Sequence, residues 1–571
     1  MTLFFLNGCA KKLKEVESPI DFQFVTVQKG ETYESLAEKY TNSSQLAWRI
    51  KEFNKGPLKI GQQLIIPLSP FRPGGLRAQG YQLVPVLSYH NFSKYRSKNK
   101  LKVSAKAFRE QLQYLKRNNY HVISIDQLIE YIGFGQVPEK SVLITIDDGW
   151  KATYDIAYPI LKEFGYNATL FIPTQFIDSG HKLAISWQQL KEMVSDKTID
   201  IQCHTKSHRD LSAFKKNETF EQYIKALDQD IVSSAEVIDI KLGQTVSALA
   251  YPFGKTNALV MALVKKNGYE VAFTVNRKSN PFYKHSFFLN RAMVFGTHSL
   301  SRFARDLKYF ETDNFAKIEP IDSLPSLAIL ALSKPEGYEN KNQWRTALLA
   351  WKMQRDKLIS EKQIRASGKK YTKAELLSVN KLIQKSKQKI LQITVRLNKI
   401  ADQHFKEALP HLPNSSARKY LLQSLLFNPG NLAPLDLFQS NMGKTQPLTY
   451  QVKENDSLKS IARQLYNDPK QAVLIPIFND DVIDDNSLVS GMELILPSTP
   501  FGIEKQSKVT SNCGVRVTKS LGKIANDYYA KANENFNHDQ ISKAIKNLKT
   551  ALCLNPKHKD AKEMLDMLKD L

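Results

Sequence analysis

The chain has 571 residues, a formal net charge of +25, 42% hydrophobic and 24% charged residues. That length exceeds one compact domain and calls for about three to five structural units. No apolar run approaches the ~20 residues a membrane helix needs, and four cysteines without paired spacing exclude a disulfide scaffold and a cysteine-ligated zinc site.

Taken in chain order, residues 1–20 begin "MTLFFLNGCAKK". The apolar segment followed by Leu6-Asn7-Gly8-Cys9 resembles the lipobox of bacterial lipoproteins. The resemblance implies acylation of Cys9, attachment to a membrane surface and a place in the cell envelope as a periplasmic or outer-membrane lipoprotein; otherwise the chain is secreted.

Residues 21–70 and 446–500 are copies of one pattern. Each opens on an alternating strand, turns into a short amphipathic helix (Tyr33 to Tyr40; Leu458 to Tyr466) and passes a second helix ending near an Asn (Asn54; Asn479). Each closes on Gly-x-x-Leu-Ile-(Ile/Leu)-Pro. This order resembles the LysM module, which implies binding of N-acetylglucosamine-containing glycans. In the second copy "KENDS" replaces the usual lysine-glycine-acid run.

From 81 to 312 strand and helix signals alternate. "PVLSYH", "VLITI" and "ATLFIP" are strand candidates, Phe108 to Asn118 reads as a helix, and Lys151 to Phe164 reads as one amphipathic helix stopped by Gly165. Repeated strand-helix-strand units imply a parallel sheet clad in helices, open or closed into a barrel. In such folds reactive groups gather where strands end in loops. Asp147 and Asp148 follow "LITI", His204 and His208 follow "TIDIQC", His90 follows "PVLSY", and "YPFG", with Tyr251 and Phe253, follows "VSALA".

Two adjacent carboxylates repel, and burying them unpaired is costly, so something must take up the charge. Two imidazoles four residues apart in a helical turn or tight loop, joined by one carboxylate, give the N/N/O ligand set of a catalytic divalent site. Asp148, His204 and His208 are the predicted ligands, for zinc or else cobalt or nickel, and Asp147 stays free beside them as a base.

"TIDDG", "HTKSH" and "AYPFG", in that order, are similar to the first three motifs of the polysaccharide deacetylase family, the carbohydrate esterases with NodB homology, in the form carried by poly-N-acetylglucosamine deacetylases. The resemblance implies a distorted (β/α) barrel and metal-dependent hydrolysis of N-acetyl groups on poly-N-acetylglucosamine or peptidoglycan. It further implies Asp147 as general base and the Phe253 amide as an oxyanion donor. The Arg that usually opens the third motif is here Ala250, and no Leu-x-His triplet follows Gly254. His285 and His298 are the later candidates for the acid, His90 is a candidate lining the rim, and Arg291 is a candidate charge partner for Asp147. The alternative is a glycan-binding envelope scaffold with an inactive deacetylase-like domain.

Residues 320–440 and 520–571 read as helical. "YLLQSLLFNPGNLAPLDLF" and "NLKTALCLNPKHKDAKEML" resemble tetratricopeptide repeats, which implies a protein partner through a helical groove; the alternative is a helical spacer. Residues 341–406 hold 17 Lys/Arg against 4 Asp/Glu. No aromatic residues interleave with the basic ones from 374 to 404, so nucleic acid is not expected and a solvated helical face is. The expectation is thus a multidomain α/β chain, its barrel flanked by small α+β modules and helical repeats.

Overall fold

The computed structural model describes residues 20–54, 56–313, 315, 330, 333–366, 371–412, 415–443, 448–479, 482–483, 488–497, 529–533, 535, 541–554 and 558–569. The lipobox-like start with Cys9 lies outside the described residues. Contacts divide the chain into Met1–Gly80 with Asp313–Pro434, and Tyr81–Thr312 with Leu435–Leu571. No helix among the described residues is long and apolar enough to cross a membrane.

In the first unit, β1 (Phe22–Thr26), α1 (Tyr33–Thr41), α2 (Ala47–Phe53) and β2 (Gln63–Pro67) form the first module, with Phe22 opposite Pro67 in an antiparallel pair. Thr32 and Ser35 close a reciprocal cap on α1, which satisfies two otherwise orphaned amides. The Asn54 side chain ties the end of α2 to β2: it donates to the carbonyls of Ile50 and Ile65 and accepts from Ile65 N–H. Leu36, Ile50, Leu64 and Ile66 are fully buried between helices and strands.

The other side of that sheet is covered too. Phe22 and Phe53 pack with Ala350 and Met353 of the helix Trp344–Ala366. The Asp356 carboxylate of that helix accepts from the N–H groups of Asp21 and Phe22 at 2.8 and 3.0 Å. Arg355 bonds both Asp356 and Asp21. The helices Lys373–Ala408 and Ser415–Phe427 pack in succession against this one. Of the basic run, Lys385 and Lys389 pair with Glu336 and Glu339, and Arg396 stacks on Trp344.

The second unit begins with β3 (Gly80–Val84), β4 (Val86–Tyr89), β5 (Asn91–Ser93), β6 (Lys102–Ser104), α3 (Ala105–Arg117), β7 (His121–Val122) and α4 (Ile125–Ile132). It continues through β8 (Ser141–Asp147), α5 (Tyr158–Phe164), β9 (Ala168–Ile172), α6 (Thr174–Asp178), α7 (Trp187–Ser195), β10 (Ile199–Cys203) and α8 (Phe220–Leu242). β11 (Ala248–Ala250), α9 (Ala258–Lys266), β12 (Val271–Phe273), β13 (Asn280–Pro281), β14 (Ala292–Met293), α10 (Leu300–Arg305) and β15 (Phe310–Thr312) complete it.

The main sheet is parallel in the order β12-β11-β10-β9-β8-β4-β14, with β7 beside β8. Leu289 bridges Phe273 of β12 while Ala292 and Met293 pair with β4. Residues 289–293 therefore stitch the two sheet edges, and the result is the expected distorted barrel. Side chains alternate along each strand. Ile144, Ile146, Leu170, Ile172 and Ile201 meet the surrounding helices. The alternate register carries Thr145, Asp147, Gln202 and His204, all buried. β10 and β11 share one register pair, and Gln202 makes up the deficit by accepting from the N–H groups of Ser247 and Ala248.

One expectation needs correction. Lys151 to Phe164 is not a single regular helix, because a π-turn over Thr153–Ala157 precedes α5. The added residue rephases the face, so that Thr153, Ala157, Tyr158 and Leu161 are buried while Tyr154 stays half-buried, stacked on Tyr158 with its hydroxyl bonding Glu192.

The second module packs on this barrel. β16 (Leu448–Gln451) and β17 (Glu493–Leu496) are antiparallel, with helices Leu458–Tyr466 and Leu474–Phe478 between them. Asn479 makes the same three bonds as Asn54, to Ile475 and Ile495. Leu474, Ile475 and Leu494 share one continuous apolar cluster with Tyr223, Leu227 and Leu263 of the barrel's helices. Helices Ile541–Leu554 and Lys559–Lys569 pack as a pair over Ala544, Leu548, Ala561 and Leu565.

Candidate metal centre and active site

The centre forms at the carboxyl ends of β8, β10 and β11. β8 delivers Asp147 on its last residue. Asp148 and Gly149 then take positive φ (77° and 69°), turning the chain sharply so that adjacent carboxylates diverge. The left-handed backbone at Gly149 favours glycine, and a Cβ there would also crowd Ile172 and Ile177. After β10, the two histidines stand in a tight loop, not a helical turn. Thr205 (φ 66°) and His208 (φ 56°) are left-handed, and Thr205 Oγ1 accepts the His208 N–H.

Asp148, His204 and His208 offer ligand atoms that all lie within 4.8 Å of one another. His204 Nε2 and His208 Nε2 are each 3.6 Å from Asp148 Oδ1. Two donors bound to one tetrahedral ion at ~2.1 Å are about 3.4 Å apart, so the residues fit a divalent cation. Second contacts orient them. His204 Nδ1 donates to the Ala250 carbonyl at 2.7 Å, leaving Nε2 with its lone pair toward Asp148. Trp150 Nε1 donates to Asp148 Oδ2 at 3.0 Å. Burial and the neighbouring His204 push the His208 imidazole down to about 4, so it is neutral and ready to ligate at pH 7. Burial opposes ionisation of Asp148, but His204, His90 and His208 outweigh it and hold the carboxyl well below its ordinary range.

Asp147 has a different partner. Arg291, fully buried, grips it with both nitrogens of the fork, Nη1 to Oδ1 at 2.7 Å and Nη2 to Oδ2 at 2.8 Å. The guanidinium also bonds Thr145 Oγ1 and the Thr274 carbonyl, and lies over the rings of Phe171 and Phe273. Burial raises the Asp147 carboxyl, while Arg291, His204 and His90 together hold it below the usual carboxylate range. Arg291 therefore supplies, from the segment that closes the barrel, the cation missing at Ala250. His90, at the end of β4, brings Nε2 to 4.0 Å from Asp147 Oδ2.

The remaining candidates divide. Phe253 sits at φ 61° with its ring half exposed and edge-on to His208, centroids 4.9 Å apart. As the second residue of the one-turn helix Pro252–Gly254, its N–H has no intrahelical acceptor. Tyr251 is a packing residue: it is fully buried and its hydroxyl donates to the Phe287 carbonyl. His285 and His298 turn to local partners, His285 Nδ1 accepting from Phe287 N–H and His298 stacking edge-on with Phe295. Sequence reasoning missed Thr145 and Thr274, which carry no motif signal because each acts only through Arg291.

Residues 134–272 match the family model described as polysaccharide deacetylase, and residues 25–67 match the LysM domain. The chain is similar to "Putative polysaccharide deacetylase YxkH" of Bacillus subtilis, 31% identical over 34% of this chain and 64% of that one. It is similar to the poly-beta-1,6-N-acetyl-D-glucosamine N-deacetylases of Staphylococcus epidermidis, 31% identical over 31% of this chain and 62% of that one, and of Staphylococcus aureus, 26% identical over 36% and 71%. The chain thus spans less than two thirds of the length of the first two relatives.

Proposed function

We propose that this chain, which carries a polysaccharide deacetylase domain and a LysM domain, hydrolyses N-acetyl groups of an N-acetylglucosamine-containing polysaccharide of the cell envelope. The observation that carries the reading is the division of labour between neighbouring acids: Asp148 faces two histidines, and Asp147 faces an arginine and a third histidine. The relatives named as N-deacetylases agree with it.

Asp148, His204 and His208 would hold a divalent ion, zinc first by their donor set, and that ion would supply Lewis-acid polarisation of the amide carbonyl and a more acidic water at neutral pH. Asp147 takes the proton of the attacking water. Arg291 keeps that carboxylate ionised and fixed in orientation, leaving its outer lone pairs for the water. The Phe253 N–H donates to the oxygen on which charge develops. His90, close to Asp147 and not fully buried, passes a proton to the departing amine. With Arg291 and His90 in these positions, the two departures from the family motifs no longer favour an inactive scaffold. The LysM modules hold the glycan. The lipobox-like start supports anchoring through acylated Cys9, and Cys9→Ser should then free the protein from membrane fractions.

Acetate release tests the central claim. Wild-type protein, stripped by a chelator and resupplied with Zn²⁺, Co²⁺ or Ni²⁺, should release acetate from N-acetylglucosamine polymers. Asp147→Asn should lose on the order of 10²- to 10⁴-fold while still binding the ion. Undiminished turnover in Asp147→Asn removes the base assignment.

A further inference from the structure

His90 opens directly into β5, and the loop that follows is basic throughout: Lys94-Tyr95-Arg96-Ser97-Lys98-Asn99-Lys100-Leu101-Lys102, without an acid. A parallel β5–β6 pair closes the loop at its base, where Asn91 N–H bonds the Leu101 carbonyl. That base adjoins His90, itself 4.0 Å from Asp147, so the loop rises from the same rim as the catalytic groups. Lys94, Arg96 and Lys98 are exposed, and no carboxylate lies within ion-pair distance of them among the described residues. Tyr95 stands between them, 83% exposed. A further exposed lysine, Lys206, sits between the two ligand histidines.

Asp155 pairs with Lys151 and Asp210 with Lys255, while Asp148 faces His204 and His208 and Asp178 accepts from Trp187 Nε1. The loop therefore carries three cations, Lys94, Arg96 and Lys98, that no described carboxylate pairs, beside the groups at the rim. Removal of an acetyl group creates an amine that is protonated at neutral pH. A neutral polymer would become cationic as it was processed, and a cationic loop would repel it increasingly. A polymer bearing carboxylates would be attracted at the start and would stay near neutral as amines accumulate.

We propose that the polymer accepted by this site carries carboxylates alongside its N-acetyl groups, and that Lys94, Arg96 and Lys98 select it by charge. The proposal rests on the N-deacetylase reading above and narrows its substrate class.

The test uses the full chain and one polymer in two forms: peptidoglycan strands with their carboxylates intact, and the same strands after conversion of those carboxylates to methylamides. Affinity is measured with metal-free protein, and acetate release with Zn²⁺-loaded protein. Wild type should bind the intact strands about tenfold tighter than the amidated ones, a preference that fades as salt rises past the Debye regime. The triple variant Lys94→Gln, Arg96→Gln, Lys98→Gln should lose that preference. It should raise KM on intact strands about tenfold and leave kcat unchanged. Equal wild-type affinity for the two forms, or an unchanged preference in the triple variant, overturns the proposal. If wild type releases acetate from neither form while the charge preference holds and vanishes in the variant, the deacetylase reading falls and anion selection stands. If acetate is released without charge preference, only the present proposal falls.

Discussion

Residue by residue, the centre gives two chemically identical acids different neighbours. Asp148 meets imidazoles and Asp147 meets a guanidinium, so one suits a cation and the other is held ionised and fixed, as the proposed base requires. His90 lies 4.0 Å from Asp147, and under the proposed mechanism His90→Gln should lower kcat on the order of 10²- to 10⁴-fold with bound metal, measured by elemental analysis, unchanged. A second acid inside the barrel behaves differently. Burial pushes Asp200 up to about 7, against the amide donors of Gln202 and Gln244. Between about pH 4 and pH 7 the folded protein holds a proton that the unfolded chain has lost, so stability falls as pH rises through this window and levels off above it. Thermal unfolding from pH 4 to 8 should show that slope in wild type, and Asp200→Asn should flatten it.

At the scale of elements, the two βααβ modules show how unlike sequences reach one geometry. Gly30 (φ 87°) in the first is Asn455 (φ 68°) in the second, and Glu31 and Asp456 each cap a neighbouring amide in the same turn. The departure "KENDS" thus leaves the turn intact, since Asn tolerates left-handed backbone. Asn54 and Asn479 hold helix end to strand in both copies. Asn479→Ala should destabilise its module by about 1–3 kcal/mol, because the backbone groups of Ile495 lose their partner. Faster hydrogen exchange at the Ile495 amide would register it. The basic helical run also reads differently at this scale: part of its charge pairs with Glu336 and Glu339 and lies over Trp344.

Within each unit of the whole molecule, a module is fixed to its neighbour by packing instead of hanging from a linker. The first is seated on the helix Trp344–Ala366 through Asp356, whose carboxylate caps two amides at the start of β1 and neutralises Arg355. Asp356→Ala leaves that guanidinium and both amides short of a partner in a buried place. It should cost about 3–5 kcal/mol and speed proteolysis in the 68–80 segment, read by peptide mapping. The second module shares the barrel's apolar cluster, so anything it held would be held against the barrel itself.

Much of this was legible in the chain. The DDG and HTKSH spacings pick out the residues that come together in the candidate metal centre because each motif is contiguous: local turn geometry sets Asp148 apart from Asp147 and brings His204 near His208. The repeated Asn and the Gly-x-x-Leu-Ile strands disclosed the paired modules for the same reason. The tertiary structure decided the rest. Arg291, 144 residues from Asp147, reaches it only because residues 289–293 close the barrel between β12 and β4. That His90 lies 4.0 Å from Asp147, while His285 and His298 turn to local partners, emerged only once the strands were ordered, since no pattern along the chain encodes distance through space.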